Sequence, residues 1–221
     1  MPALDAAAAF NALAPFPLPR FAQAGLARLL ALDQVEAVTR DLHQSSDLPH
    51  RVLDHLEIDL RYDLSPVPKE GATVVVANHP YGLLEGAALA RALGRLRNDV
   101  RVLANGRLNA VPEIARHVVT VDPMGGLEAT QANPRGLRQA LAHLESGGLL
   151  VIFPAGEVSH YQWRTGAVED SEWKPTIARL LRALRRRQPD FAIVPAFIDG
   201  RNSLLFQAAG LIHPRLRTAL L

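Results

Sequence analysis

Residues 74–90 read VVVANHPYGLLEGAALA. An apolar, β-branched run without polar alternation is what a strand buried on both faces looks like. The run stops at Asn78-His79-Pro80, and Pro80 with Gly82 predicts a loop before a helix that begins near Leu84. A histidine at the end of a buried strand, with Glu85 six residues on, admits two readings. In one, local backbone groups satisfy His79, and Glu85 is a helix-start acid favoured by the dipole. In the other, the loop brings the carboxylate back to the imidazole, fixing its tautomer and leaving the second ring nitrogen to take a proton. On one continuous helix, positions six apart face differently, so the second reading depends on the loop.

Runs of the same kind recur downstream. Candidate strands are 73–78, 101–105, 118–122, 149–154 and 192–198, with candidate helices near 84–96, 108–116, 134–146 and 173–187. LLVIFP and AIVPAFI lack alternation as VVVA does, so burial on both faces is expected for them too. Strands separated by such helices predict an α/β fold, a mostly parallel central sheet flanked by helices. Chemistry in these sheets gathers beyond the C-terminal ends of the strands. Those ends carry Asn78-His79, Asn105, Asp122, residues 156–159 and residues 199–203. Upstream, Leu26, Leu29, Leu30, Val35 and Val38 keep helical spacing, and Ser46 or Asp47 can cap a further helix through Leu56. The expected division is an N-terminal helical segment, 1–65, and an α/β domain, 66–221.

A length of 221 residues suits that division. The formal net charge of +2 leaves no basic footprint for nucleic acid. With no cysteine, disulfides, thiolate metal sites and a cysteine nucleophile are all excluded. No metal-ligand spacing, phosphate-binding P-loop or dinucleotide glycine motif is present. Nor is there a G-x-S-x-G elbow of the kind an α/β hydrolase needs for its serine. No apolar run approaches the roughly 18–20 residues of a membrane span, and Asp5 interrupts the stretch a signal peptide would need. A cytoplasmic protein is expected.

Motifs in order then narrow the reading. NHPYGLLEG resembles the first motif of the glycerolipid (lysophospholipid) acyltransferase superfamily, an Asn-His followed shortly by an acidic residue. VIFPAGEVS resembles the third, a buried strand ending in Phe-Pro-x-Gly and a serine, and AIVPAFIDGRNS the fourth. VRVLANGRLNAVPEIARHVVTVDPMG looks like the second-motif region, so the resemblance covers roughly Gly71 to Ser203. Two departures stand out. Five residues rather than the usual four separate His79 from its acid, which is Glu85 and not aspartate. In the third motif, Ala155 and Val158 replace the glutamate and arginine that the superfamily associates with a phosphate-bearing acceptor. The combination looks most like the haemolysin-like branch, whose acyltransferases act on ornithine-type aminolipids and other lyso-lipids. The superfamily usually continues past its fourth motif into another helix and strand, so a shortened C-terminal end is expected.

The resemblance implies acyl transfer from a thioester, acyl-ACP or acyl-CoA, to a lyso-lipid or aminolipid, with no cofactor beyond that co-substrate. It implies His79 as general base assisted by Glu85, and Asn78, Gly82, Asn105, Arg107, Gly156, Glu157, Ser159 and Arg201 as substrate-binding candidates. Each of the latter also has a plain structural reading as a turn, a cap or a solvated loop residue. The rival function is a lipid- or acyl-carrier-binding protein that kept the fold without the chemistry. A lipid acceptor would bring the chain to the inner face of the cell membrane. Residues 175–188, PTIARLLRALRRRQ, form an amphipathic helix whose arginine face is either solvated or drawn to anionic headgroups. Trp163 and Trp173 flank an acidic loop, where core packing is the expectation and covering an acyl site the alternative.

Overall fold

The computed structural model describes residues 48–105, 115, 117–121 and 127–212. Arg107, Asp122, all but residue 115 of the predicted helix at 108–116 and most of the predicted N-terminal helical segment lie outside the described residues. Helix α1 (Leu48–His55) leads through irregular chain to β1 (Thr73–Ala77), α2 (Leu83–Gly94), β2 (Val100–Asn105) and β3 (Val118–Val121). Then come α3 (Leu127–Glu145), β4 (Leu149–Ile152), a hairpin of β5 (His160–Gln162) and β6 (Ala167–Glu169), α4 (Pro175–Arg187), β7 (Ala192–Ala196) and α5 (Leu204–Ile212).

The main sheet has five parallel strands in the order β3-β2-β4-β1-β7. Every residue of β1 and β4 is buried, as unbroken apolar runs require. Alternation sends the side chains to two layers. Val74, Val76, Leu150 and Ile152 pack with Leu141 and Leu144 of α3 and Leu180 and Leu184 of α4. Val75, Leu149 and Val151 pack on the other face with Val67 and with Leu93 of α2. Each such side chain contributes about 1.5–3 kcal/mol relative to exposure. Arg91 of α2 also reaches Asp54 of α1 at 2.5 Å. Among the described residues, no helix is long and apolar enough to cross a membrane.

Three expectations need correction. Strand β7 is an edge strand, not a doubly buried one: Ile193 and, just beyond the strand, Phe197 are exposed, while Val194 is buried. Pro195, which has no amide proton to donate, is tolerated at such an edge. Helix α3 begins at Leu127 rather than near 134 and carries Pro134 inside it. The β5–β6 hairpin and α5 had no counterpart in the sequence reading. Strands of three residues each, HYQ and AVE, are too short to show a periodicity.

At the pole where the strands begin, Arg97 is 5% exposed and gathers three loops. Its guanidinium donates to the carbonyls of Gly71 at 2.8 Å and Gly147 at 2.6 Å, and to both Asp99 carboxylate oxygens. Those Arg97 hydrogen bonds hold the Asp99 carboxyl below its usual range. Nearby, His143 in the last turn of α3 touches the Leu149 carbonyl with Nε2 at 3.1 Å. Burial pushes its imidazole below the usual 6.5, partly opposed by that carbonyl.

The two groups act on stability in different windows. The unfolded chain protonates His143 near pH 6.5, whereas the folded chain does so only at lower pH. In between, the unfolded state binds more protons, so stability falls as pH drops through that window. The Asp99 contribution is complete above the ordinary carboxylate range and is lost only at more acidic pH. Urea midpoints measured from pH 7.5 to 5.5 should therefore decline less steeply for His143→Gln than for the parent. An unchanged slope would mean that His143 is not held neutral by burial.

Candidate active site

The connection from β1 passes to α2 on one face, and that from β4 passes through the hairpin to α4 on the other. Strands β1 and β4 are adjacent and parallel. Neighbouring strands whose connections leave to opposite faces open a crevice at their C-terminal ends. His79 follows β1 into that crevice, and the Phe153–Ser159 segment follows β4. The His79 ring stacks on Phe153 with centroids 4.4 Å apart and planes 21° off parallel.

Helix α2 starts at Leu83, and Gly82 is its N-cap, with φ of 101°, a conformation costly for any residue with a Cβ. Glu85 is the third helical residue, and its Oε1 accepts the backbone N–H groups of Tyr81 at 3.0 Å and Gly82 at 2.9 Å. This is the acid's half of a capping box, reaching back over its own N-terminus, since Gly82 has no side chain to return the bond. The carboxylate is 1% exposed, so these donors and the helix dipole answer for its desolvation. The same oxygen lies 2.5 Å from His79 Nδ1. The contact is close but out of line: Nδ1 and Glu85 Oε2 are both buried without a hydrogen-bond partner in the structure. Glu85 thus caps its helix and also lies against the histidine ring.

Other side chains brace this loop. The Asn78 amide donates to the Ile198 carbonyl at 2.8 Å and accepts the Ile198 N–H at 2.7 Å, tying the ends of β1 and β7. The Asn202 amide donates to the carbonyls of Pro80 at 3.1 Å and Tyr81 at 3.4 Å. Ser159, 5% exposed, donates its N–H to the His79 carbonyl at 2.8 Å and its hydroxyl to Asp170 at 2.5 Å. Asp170 also accepts the His79 N–H at 3.1 Å.

Of the predicted substrate-binding residues, Asn78, Gly82, Gly156 and Ser159 lie on the two loops at the crevice. Gly156, with φ of 70°, has the Lys174 side chain over it; a Cβ there would sit 2.9 Å from the ammonium nitrogen. Glu157 and Arg201 are exposed. Asn105 ends β2, separated from β1 by β4. The third-motif replacements Ala155 and Val158 are both buried. Core packing does not hold for the tryptophans: Trp163 is 76% exposed and Trp173 54%. Helix α4 runs back from the crevice, so its arginine-rich last turn lies at the opposite pole, where Arg187 pairs with Glu145 at 2.9 Å. Asp170 escaped the sequence reading because, beside Glu169 and Glu172, it looks like one more solvated acid. Among the described residues no group of three or more His, Asp or Glu could hold a metal ion.

Removing the Asn78 side chain deprives the part-buried Ile198 backbone groups of both hydrogen bonds. Asn78→Ala should lower unfolding free energy by about 1–3 kcal/mol, read from urea denaturation. Asn78→Asp, which turns an oxygen toward the Ile198 carbonyl, should be at least as destabilising.

No model of a known protein family matches the chain. The chain is similar to the Lyso-glycine lipid O-acyltransferase of Bacteroides thetaiotaomicron, with 28% identity over 198 residues. The match takes in 86% of this chain but 66% of that protein, so the chain spans slightly less than two thirds of its relative. A distant relationship to an O-acyltransferase thus joins the loop geometry and supports an acyltransferase family.

Proposed function

We propose that the protein transfers a fatty acyl group from a thioester, acyl-ACP or acyl-CoA, to the hydroxyl of a lyso-lipid. The observation that carries the reading is the 2.5 Å contact between His79 Nδ1 and the buried Glu85 carboxylate, at the crevice of a parallel sheet. With Nδ1 turned to Glu85, Nε2 is the nitrogen that receives the acceptor's proton. The acceptor oxygen attacks the thioester carbonyl, and the tetrahedral intermediate collapses as the C–S bond breaks. The imidazolium, stabilised by Glu85, returns its proton to the departing thiolate. No enzyme nucleophile is required, which agrees with a chain without cysteine. Backbone N–H groups near Gly82 or Gly156 are the candidates for holding the oxyanion.

The acceptor reading rests on the name of the relative and on the third motif. Ala155 and Val158 are buried, so neither position offers a charge to a phosphate. An acceptor without phosphate, of the kind handled by the haemolysin-like branch, suits that motif better, with the exposed Glu157 and Arg201 available at its edges. The exposed Trp163, Trp173, Phe197 and Leu204 give the crevice end an apolar surface suited to working at a bilayer.

The test is acyl transfer by the purified protein, with acyl-ACP or acyl-CoA offered against a panel of lyso-lipids that includes phosphate-free ones. His79→Ala should lower kcat by about 10²–10⁴, with the fold retained by circular dichroism. Transfer that survives His79→Ala undiminished would sink the dyad. A protein that binds lyso-lipid but transfers nothing would instead be a binding protein on this fold.

A further inference from the structure

We infer that Asp170 is the positioning residue of His79, fixing the histidine backbone from the far side of the β5–β6 hairpin. The inference rests on the acyl-transfer reading above. Strand β1 ends at Ala77, so His79 lies beyond the ladder and its own N–H and C=O need other partners. Asp170 Oδ1 accepts the N–H at 3.1 Å, and Ser159 donates its N–H to the C=O at 2.8 Å. The two braces are themselves joined, because the Ser159 hydroxyl donates to the same Asp170 oxygen at 2.5 Å. A closed ring of contacts thus links the chain after β1, after β4 and after β6. Glu85 and Phe153 set the histidine ring; Asp170 and Ser159 set the main chain that carries it.

Nothing about the fold alone asks for a carboxylate there. Asp170 Oδ2 is buried without a hydrogen-bond partner in the structure, a costly arrangement that an ordinary loop acid would relieve by turning to water. The carboxylate stays because its other oxygen is occupied twice. A base whose main chain shifts by about 1 Å loses alignment with the acceptor hydroxyl, a displacement that can cost about 10²-fold in rate. Acceptor binding is expected to change far less than the rate, because Asp170 acts through the main chain of His79.

The experiment compares Asp170→Ala and Asp170→Asn in steady-state transfer, alongside spectra of protein labelled with ¹⁵N-histidine. Asp170→Ala should lose about 10–10² in kcat with acceptor KM within about twofold of the parent. Asp170→Asn, which keeps an oxygen acceptor in place, should recover most of that loss. The His79 amide and ring resonances should move in both variants, more in the alanine. An unchanged kcat in Asp170→Ala, or a loss in Asp170→Asn as deep as in Asp170→Ala, would overturn the inference. If Asp170→Ala fails to fold, Asp170→Asn decides: an unmoved His79 amide means that Asp170 does not hold it. A parent protein that transfers no acyl group refutes the acyl-transfer reading instead, and the His79 resonances still report whether Asp170 positions that residue.

Discussion

A carboxylate removed from water at the first turn of a helix is the constraint around which this structure is arranged. Glu85 is 1% exposed, and a buried anion is tolerated only where donors surround it. Two of those donors are the N–H groups of Tyr81 and Gly82, free because the helix begins there and has no earlier carbonyl to claim them. The third neighbour is the His79 imidazole. One oxygen therefore gathers the loop after β1, caps the start of α2 and faces a histidine. The positive φ of Gly82 is the backbone condition that lets the three meet.

The sheet determines what else can reach this point. Because β1 and β4 are neighbours whose connections leave on opposite faces, the loops after them diverge and leave His79 open between them. Phe153, Ser159 and Asp170 all come from the β4 side of that divide. Asn78 and Asn202 fasten the β7 side by hydrogen bonds to main-chain groups 120 and 122 residues away in sequence. The polar residues at the strand ends therefore divide by task. Several hold backbone in place around His79, whose side chain is 18% exposed and rests against the buried Glu85.

The departures in the third motif gain a physical sense from this arrangement. Ala155 and Val158 are both buried, so neither presents a side chain to the crevice. Lys174, over Gly156, supplies a cation from a different segment of chain. The distant similarity to an enzyme named for a lyso-glycine lipid goes with a loop in which neither replacement carries a charge.

Much of this was legible in the sequence, for identifiable reasons. VVVA and LLVI are apolar at every position, and only a strand covered on both faces tolerates that, so a parallel sheet and its two central strands follow directly. His79, Pro80, Gly82 and Glu85 lie within seven residues, where local backbone rules give the loop, the cap and the approach of the carboxylate. AIVPAFI has the same composition, yet its strand takes the edge, since the number of neighbours a strand acquires depends on pairing and not on its own side chains. Trp163 and Trp173 are exposed for a similar reason: burial is decided by what packs against a residue, and a hairpin of three-residue strands covers little. Asp170 is the plainest case. In sequence it is one acid among several; it becomes a brace for His79 only when the fold brings together positions 91 apart. Contacts within a turn of chain are written locally, whereas those across the sheet exist only once register and crossover place them.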